Sequence, residues 1–176
     1  MREQLAREKA RAVRWLVLDV DGVLTDGRIL LDGDGGEWKA FDVRDGHRIV
    51  MAAAEGIRTA FLTGRTSRVV ERRAAELGVQ RVFQGVRDKG EALAAFLREE
   101  GVDGGAVAYL GDDLVDLPAM RLAGLAAAVG DAVPEVIEAA DWIASAPGGR
   151  GAVRELVEFV LAAQGRWEPA LARYRG

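Results

Sequence analysis

The segment Trp15-Leu16-Val17-Leu18-Asp19-Val20-Asp21-Gly22 is an apolar run that ends in two carboxylates and a glycine. An apolar run of this length, closed by a turn signal, predicts a strand over Arg14–Val20 buried in the middle of a sheet. Carboxylates at the C-terminal end of such a strand stand where open α/β sheets bind ligands. A first Asp there can attack as a nucleophile and form an aspartyl-phosphate, and a second can move a proton. The plain alternative is a strand followed by an Asp-Gly turn.

The rest of the chain repeats the pattern. Strand-like runs are expected at Arg58–Leu62, Arg81–Phe83, Ala106–Leu110, Leu125–Val129 and Trp142–Ile143. Helical patterns fall between them, at Gly46–Glu55, Ser67–Leu77, Lys89–Glu100, Leu114–Ala123, Pro134–Ala139 and Ala152–Ala163. Gly56, Gly78, Gly101 and Gly124 follow four of these helices as stop residues. This alternation predicts an α/β fold: a Rossmann-like, mostly parallel sheet flanked by helices, in one domain spanning 1–176. One segment breaks the pattern. Gly27–Leu31 and Glu37–Val43 flank an Asp/Gly cluster, which predicts a β-hairpin flap over about 27–43 beside the Asp19–Asp21 strand end. Its Trp38 and Phe41 fall on opposite faces of an extended strand, so at least one needs cover. That favours an interface over a free flap.

Composition excludes several classes of function. A net charge of −4 gives no basic field for nucleic acid. No apolar run is long enough for a membrane helix, and Met1–Arg14 lacks an apolar signal core, so the expected compartment is the cytoplasm. The absence of cysteine removes disulfides and thiolate metal sites, and a single histidine, His47, removes histidine-rich metal centres.

In a parallel sheet, four groups share one edge: Asp19-Val20-Asp21, then Thr63-Gly64-Arg65, then Lys89, then Gly111-Asp112-Asp113 with Asp116. Carboxylates from two strands suit Mg²⁺, a hard cation with oxygen ligands. Thr63 and Lys89 offer a hydroxyl and a positive charge to a phosphoryl group. Each also has an ordinary reading. Thr63 could cap a helix, Lys89 could be a solvated first-turn lysine, and Gly111-Asp112-Asp113 could be a turn with an N-cap.

Taken together, Asp19-x-Asp21-Gly22, Thr63, Lys89 and Gly111-Asp112-Asp113 resemble the four motifs of the haloacid dehalogenase superfamily of phosphohydrolases. More narrowly, Ala40–Gly46, Leu62–Arg65, Gly111–Asp116, Gly148–Glu155 and Leu161–Gly165 are similar to the 3-deoxy-D-manno-octulosonate 8-phosphate (KDO 8-phosphate) phosphatase family. The resemblance implies that Asp19 attacks phosphorus and that Asp21 serves as acid and then base. It implies Mg²⁺ held by Asp19, Asp112 and the Asp21 main-chain carbonyl, with Asp113 and Asp116 close by. Thr63, Gly64, Arg65, Arg44 and Arg150 would bind a sugar-acid phosphate. It implies no large cap domain, and a homotetramer in which the hairpin and tail of one subunit help to close a neighbour's site. The longer end here, 166–176, departs from that pattern. A nine-carbon sialic-acid-type 9-phosphate is the alternative substrate, and a non-catalytic module on the same fold is the alternative class.

Overall fold

In the computed structural model, which describes residues 1–175, six parallel strands form one sheet. They are β1 (Trp15–Leu18), β4 (Arg58–Leu62), β5 (Arg81–Phe83), β6 (Val107–Gly111), β7 (Leu125–Ala128) and β8 (Trp142–Ile143), in the order β5-β4-β1-β6-β7-β8. A separate antiparallel pair, β2 (Leu30–Leu31) and β3 (Glu37–Trp38), is the hairpin. Among the described residues, no large cap domain stands beside the sheet. Six of the expected strands are present within a few residues of their predicted bounds.

β1 is central because all four of its residues are apolar and can be buried on both faces. Leu16 and Leu18 face one layer, with α1 (Arg2–Ala10), α2 (Val43–Ala54), α3 (Arg68–Glu76) and α7 (Ala152–Ala163). Trp15 and Val17 face the other, with α4 (Lys89–Glu100), α5 (Leu117–Met120) and α6 (Pro134–Ala139). Period-2 alternation along one strand therefore divides the core into two. Trp15 meets Phe96 of α4 edge-on, with ring centroids 4.9 Å apart.

The register sets the height of the site. Leu18 pairs with Phe61 on one side and Leu110 on the other, so the chain leaves β1, β4 and β6 at nearly the same level. Asp19, Thr63 and Asp112 follow directly. The ladder continues into them: the Asp19 amide donates to the Leu110 carbonyl at 3.1 Å, and the Thr63 amide donates to Phe83 at 2.9 Å.

Several expectations change. The helix expected at Gly46–Glu55 begins at Val43, because the Asp42 carboxylate caps it by accepting from the Arg44 and Asp45 amides. That start shortens the hairpin, whose paired residues number only two in each strand rather than filling 27–43. The helix expected at Leu114–Ala123 is broken into a 3₁₀ turn (Leu114–Asp116) and the short α5, with Pro118 in the latter's first turn. Gly124 is not a left-handed stop residue. It allows close approach instead, since a Cβ there would lie 2.6 Å from the Gly105 Cα.

Two helices lie outside the predicted set. α1 has no apolar stripe and is tied down by polar contacts. Gln164 donates to the carbonyls of Ala10 and Val13, and Lys9 pairs with Asp141 at 2.5 Å. The C-terminal α8 (Trp167–Arg175) folds back on its own chain. The Arg48 guanidinium lies over the Trp167 ring, Arg173 pairs with Glu55 at 2.7 Å, and Tyr174 meets His47 at 3.0 Å.

Candidate active site

The sheet edge brings Asp19, Asp21, Thr63, Gly64, Arg65, Lys89, Asp112 and Asp113 into the wall of one cavity of about 210 Å³. A larger cavity, of about 590 Å³, lies at the opposite edge between Arg11–Arg14, Gly56 and Gln164 and contains none of these residues.

The centre of the site is a buried charge cluster. The Lys89 ammonium sits 2.9 Å from Asp19 Oδ2 and 2.6 Å from Asp116 Oδ1. Lys89 opens α4, so its backbone is fixed where the chain turns into the helix, with Asp88 as the N-cap. Burial works against its charge, but Asp19 and Asp116 outweigh that and hold its pKa above the ordinary lysine value. Asp116 is fully buried and fully engaged. It accepts from the Tyr109 hydroxyl at 2.7 Å and from the amides of Asp112 and Asp113 at 3.0 and 3.2 Å. Asp116 thus shapes the loop that presents Asp112, and its oxygens are already occupied by donors.

Asp19 is held by its own neighbour, the Val20 amide, at 2.7 Å from Oδ1. Burial, then the charge of Asp116, raises its pKa to about 6 against the opposing pull of Lys89. Burial, then Asp19 and Asp116, raises that of Asp112 to about 8. The Oδ1 of Asp112 is buried without a hydrogen-bond partner. Oxygens of Asp19, Asp112 and Asp116 all lie within 4.8 Å of one another. Three carboxylates face one ammonium, which leaves a deficit of positive charge that a divalent cation fits. The orphaned Asp112 oxygen is where such an ion gains a ligand at no loss of an existing contact. Each Asp116 oxygen already meets two donors, whereas each Asp19 oxygen meets one and Asp112 Oδ1 meets none, so Asp19 and Asp112 are the better placed of the three to hold an ion.

Glycines allow the loops to close. Gly22 has φ of +92°, and a Cβ there would lie 2.1 Å from Asp112 Oδ2. A Cβ on Gly148 would lie 1.7 Å from the Gly22 carbonyl oxygen, and the Gly149 amide donates to Val23 at 2.8 Å. The Gly148–Gly151 loop therefore packs behind the Asp19–Gly22 turn.

Asp21 lies at the mouth. The Thr63 hydroxyl is 3.5 Å from Asp21 Oδ2, and the Arg65 amide donates to Thr63 Oγ1 at 3.2 Å. The second partner of Asp21 is Lys39, whose side chain is buried against Asp21 Oδ1 and lies 3.3 Å from Glu37. Arg65 reaches the same Glu37 at 3.2 Å. Lys39, at the foot of the hairpin, is a residue that sequence reasoning missed. A lysine just past a short strand carries no pattern of its own, and only the fold brings it to Asp21. Arg87, also in the cavity wall, was missed for the same reason.

Arg44 and Arg150 are placed outside this cavity. Arg44 is exposed and pairs with Asp42 at 3.2 Å. Arg150 is exposed, and no ion pair joins it among the described residues. The carboxylate of Asp45 is buried and accepts from the Gly151 and Arg154 amides at 3.1 and 2.7 Å, joining α2 to the start of α7. Asp113 caps the 3₁₀ turn and borders the cavity.

The haloacid dehalogenase-like hydrolase family matches residues 82–153. The 3-deoxy-D-manno-octulosonate 8-phosphate phosphatase of Escherichia coli K12 is 46% identical over 162 residues, covering 92% of this chain and 86% of that one. The chain belongs to the KDO 8-phosphate phosphatase family. Among solved structures of the family, that from Moraxella catarrhalis, in complex with a magnesium ion, a phosphate ion and a KDO molecule, superposes with a TM-score of 0.94. It is 39% identical, with 96% of this chain and 97% of that chain covered. The structure from Yersinia pestis gives a TM-score of 0.91 at 41% identity, covering 93% and 89%. The family's members are phosphoric monoester hydrolases, and no helix among the described residues is long and apolar enough to cross a membrane.

The charge deficit has a measurable consequence. In metal-free protein, folded Asp19 and Asp112 keep protons up to about pH 6 and about pH 8, whereas their ordinary value is 3.8. The folded state then binds more protons than the unfolded state, so stability falls as pH rises from about 4 to about 8. A bound cation displaces those protons. In chelator, Tm should therefore fall across this window, and the rise in Tm on adding Mg²⁺ should be larger near pH 8 than near pH 5.5. A Mg²⁺ shift that grows toward low pH would contradict the assignment.

Proposed function

We propose that the protein is an Mg²⁺-dependent phosphatase that hydrolyses KDO 8-phosphate to KDO and phosphate, as a cytoplasmic step in lipopolysaccharide sugar synthesis. The observation that carries this reading is the Asp19–Lys89–Asp112 arrangement at the sheet edge, in a chain so similar to KDO 8-phosphate phosphatases.

Asp19 is the nucleophile. Its carboxylate attacks phosphorus, the bond to the sugar oxygen breaks, and an aspartyl-phosphate forms. Asp21 gives its proton to the departing sugar oxygen. It then takes a proton from water, whose oxygen attacks the aspartyl-phosphate and releases inorganic phosphate with Asp19 restored. Asp19, Asp112 and the Asp21 carbonyl would hold the Mg²⁺, which would supply charge neutralisation for the phosphoryl oxygens. Lys89 adds to it from the buried side, and Thr63 and the Gly64 and Arg65 backbone bind the remaining oxygens. The Lys39 contact keeps Asp21 at the mouth, 3.5 Å from Thr63. Asp113 and Asp116 support the Asp112 loop, and Arg65 stands on the outer side toward the sugar.

Purified protein assayed against a panel of sugar phosphates tests this reading. KDO 8-phosphate should be the preferred substrate over nine-carbon sugar-acid 9-phosphates, and excess chelator should abolish turnover until Mg²⁺ is restored. Full activity in chelator, or preference for a nine-carbon substrate, would overturn it.

We also propose a homotetramer with the hairpin at its interface. Ile29, Leu30, Leu31 and Trp38 are each half or more exposed, while Phe41 packs against the core beneath Arg73. Four large apolar side chains on so small a hairpin form a surface of the kind that a partner covers. Light scattering at micromolar protein should give four copies, and Trp38→Ala should weaken that assembly. A monomer would contradict it.

A further inference from the structure

We propose that Arg87 is a specificity-determining residue that pairs with the carboxylate of the sugar-acid substrate. This rests on the sugar-acid phosphatase reading above and goes beyond it in naming the group that recognises the acid.

Four cationic side chains stand in or beside the cavity: Lys89, Lys39, Arg65 and Arg87. Lys89 is held between Asp19 and Asp116. Lys39 is buried against Asp21 and Glu37. Arg65 lies 3.2 Å from Glu37. Each of these cations already has a carboxylate partner. Arg87 lines the cavity, is exposed, and makes no ion pair among the described residues. Its charge is therefore available to an incoming anion.

Backbone contacts fix where that charge stands. The Gly85 amide donates to the Arg65 carbonyl and the Val86 amide to the Thr63 carbonyl, both at 3.1 Å. These bonds lay the 85–87 loop along the Thr63–Arg65 loop. Arg87 is thus carried at the rim, just before Asp88 caps α4 and Lys89 enters the buried cluster. Two cations two residues apart serve different depths: Lys89 inside, Arg87 at the mouth.

The substrate carries two anionic groups at opposite ends. Its phosphate has to reach Asp19, which places it at the inner end beside Thr63 and Lys89. The carboxylate is then left toward the rim. A guanidinium matches a carboxylate with two parallel N–H···O bonds, which a lysine cannot do. Arg65 can meet the same group only by sharing its interaction with Glu37.

The test compares KDO 8-phosphate with D-arabinose 5-phosphate, a sugar phosphate with no carboxylate, in wild type, Arg87→Gln and Arg87→Lys. Arg87→Gln should lower kcat/KM for KDO 8-phosphate by about 10- to 100-fold, mainly through KM, and change that for arabinose 5-phosphate by less than about threefold. Arg87→Lys should recover part of the loss. Since Arg87 is exposed, Tm should be unchanged in both variants. Equal losses on the two substrates, with the wild-type preference for KDO 8-phosphate intact, would overturn the role of Arg87 alone. A wild type with no preference for the carboxylated substrate would overturn the sugar-acid reading itself, and this inference with it.

Discussion

The contact on which the site depends is the buried Lys89 ammonium between Asp19 and Asp116. Two carboxylates this close in a buried setting repel one another and favour protonation. The ammonium pairs with both of them, and Asp116 in turn accepts from Tyr109 and from the Asp112 and Asp113 amides. Removing Lys89 would therefore disturb more than one ion pair. Breaking a buried pair of this kind costs about 3–5 kcal/mol, since it leaves uncompensated charge. The loop that carries Asp112 would lose its anchor at the same time.

The fold makes that cluster possible by ending three neighbouring strands at one level. β1, β4 and β6 are adjacent and parallel, so the residues that follow them share one edge. The apolar layers above and below lower the local dielectric, which strengthens the attraction of Lys89 for Asp19. They also make an excess of carboxylates costly, which is why the site has use for a divalent cation. Structure and chemistry are linked here by one constraint: a buried sheet edge holds acids only when something cationic holds them there.

Much of this was legible in the sequence because it depends on local pattern. The apolar run Trp15–Leu18, the Gly stops at 56, 78 and 101, and the Asp88–Lys89 helix start each announce themselves over a few residues. What was missed depends on long-range contact. α1 buries only Ala6 and Ala10 and is anchored by Gln164, more than 150 residues away. Lys39 joins Asp21 through the hairpin's path, and Arg87 joins the rim through backbone bonds to Thr63 and Arg65. The hairpin is shorter than its residue pattern suggests, because Asp42 caps α2, a competing local signal that limits the second strand. Of the arginines the resemblance pointed to, Arg65 lines the cavity, whereas Arg44 and Arg150 are exposed and do not line it.

The central claim is that Asp19 receives the phosphoryl group, that Asp19 and Asp112 would hold the Mg²⁺, and that Lys89 stays paired with Asp116. A crystal structure of the protein grown with Mg²⁺ and beryllium fluoride, a mimic of an acyl-phosphate, tests this most directly. The account predicts beryllium bonded to an Asp19 carboxylate oxygen, Mg²⁺ in contact with Asp19 and Asp112, and Lys89 still paired with Asp116. Beryllium fluoride on Asp21 or Asp113, or Mg²⁺ bound through Asp116 with Asp112 unliganded, would contradict it.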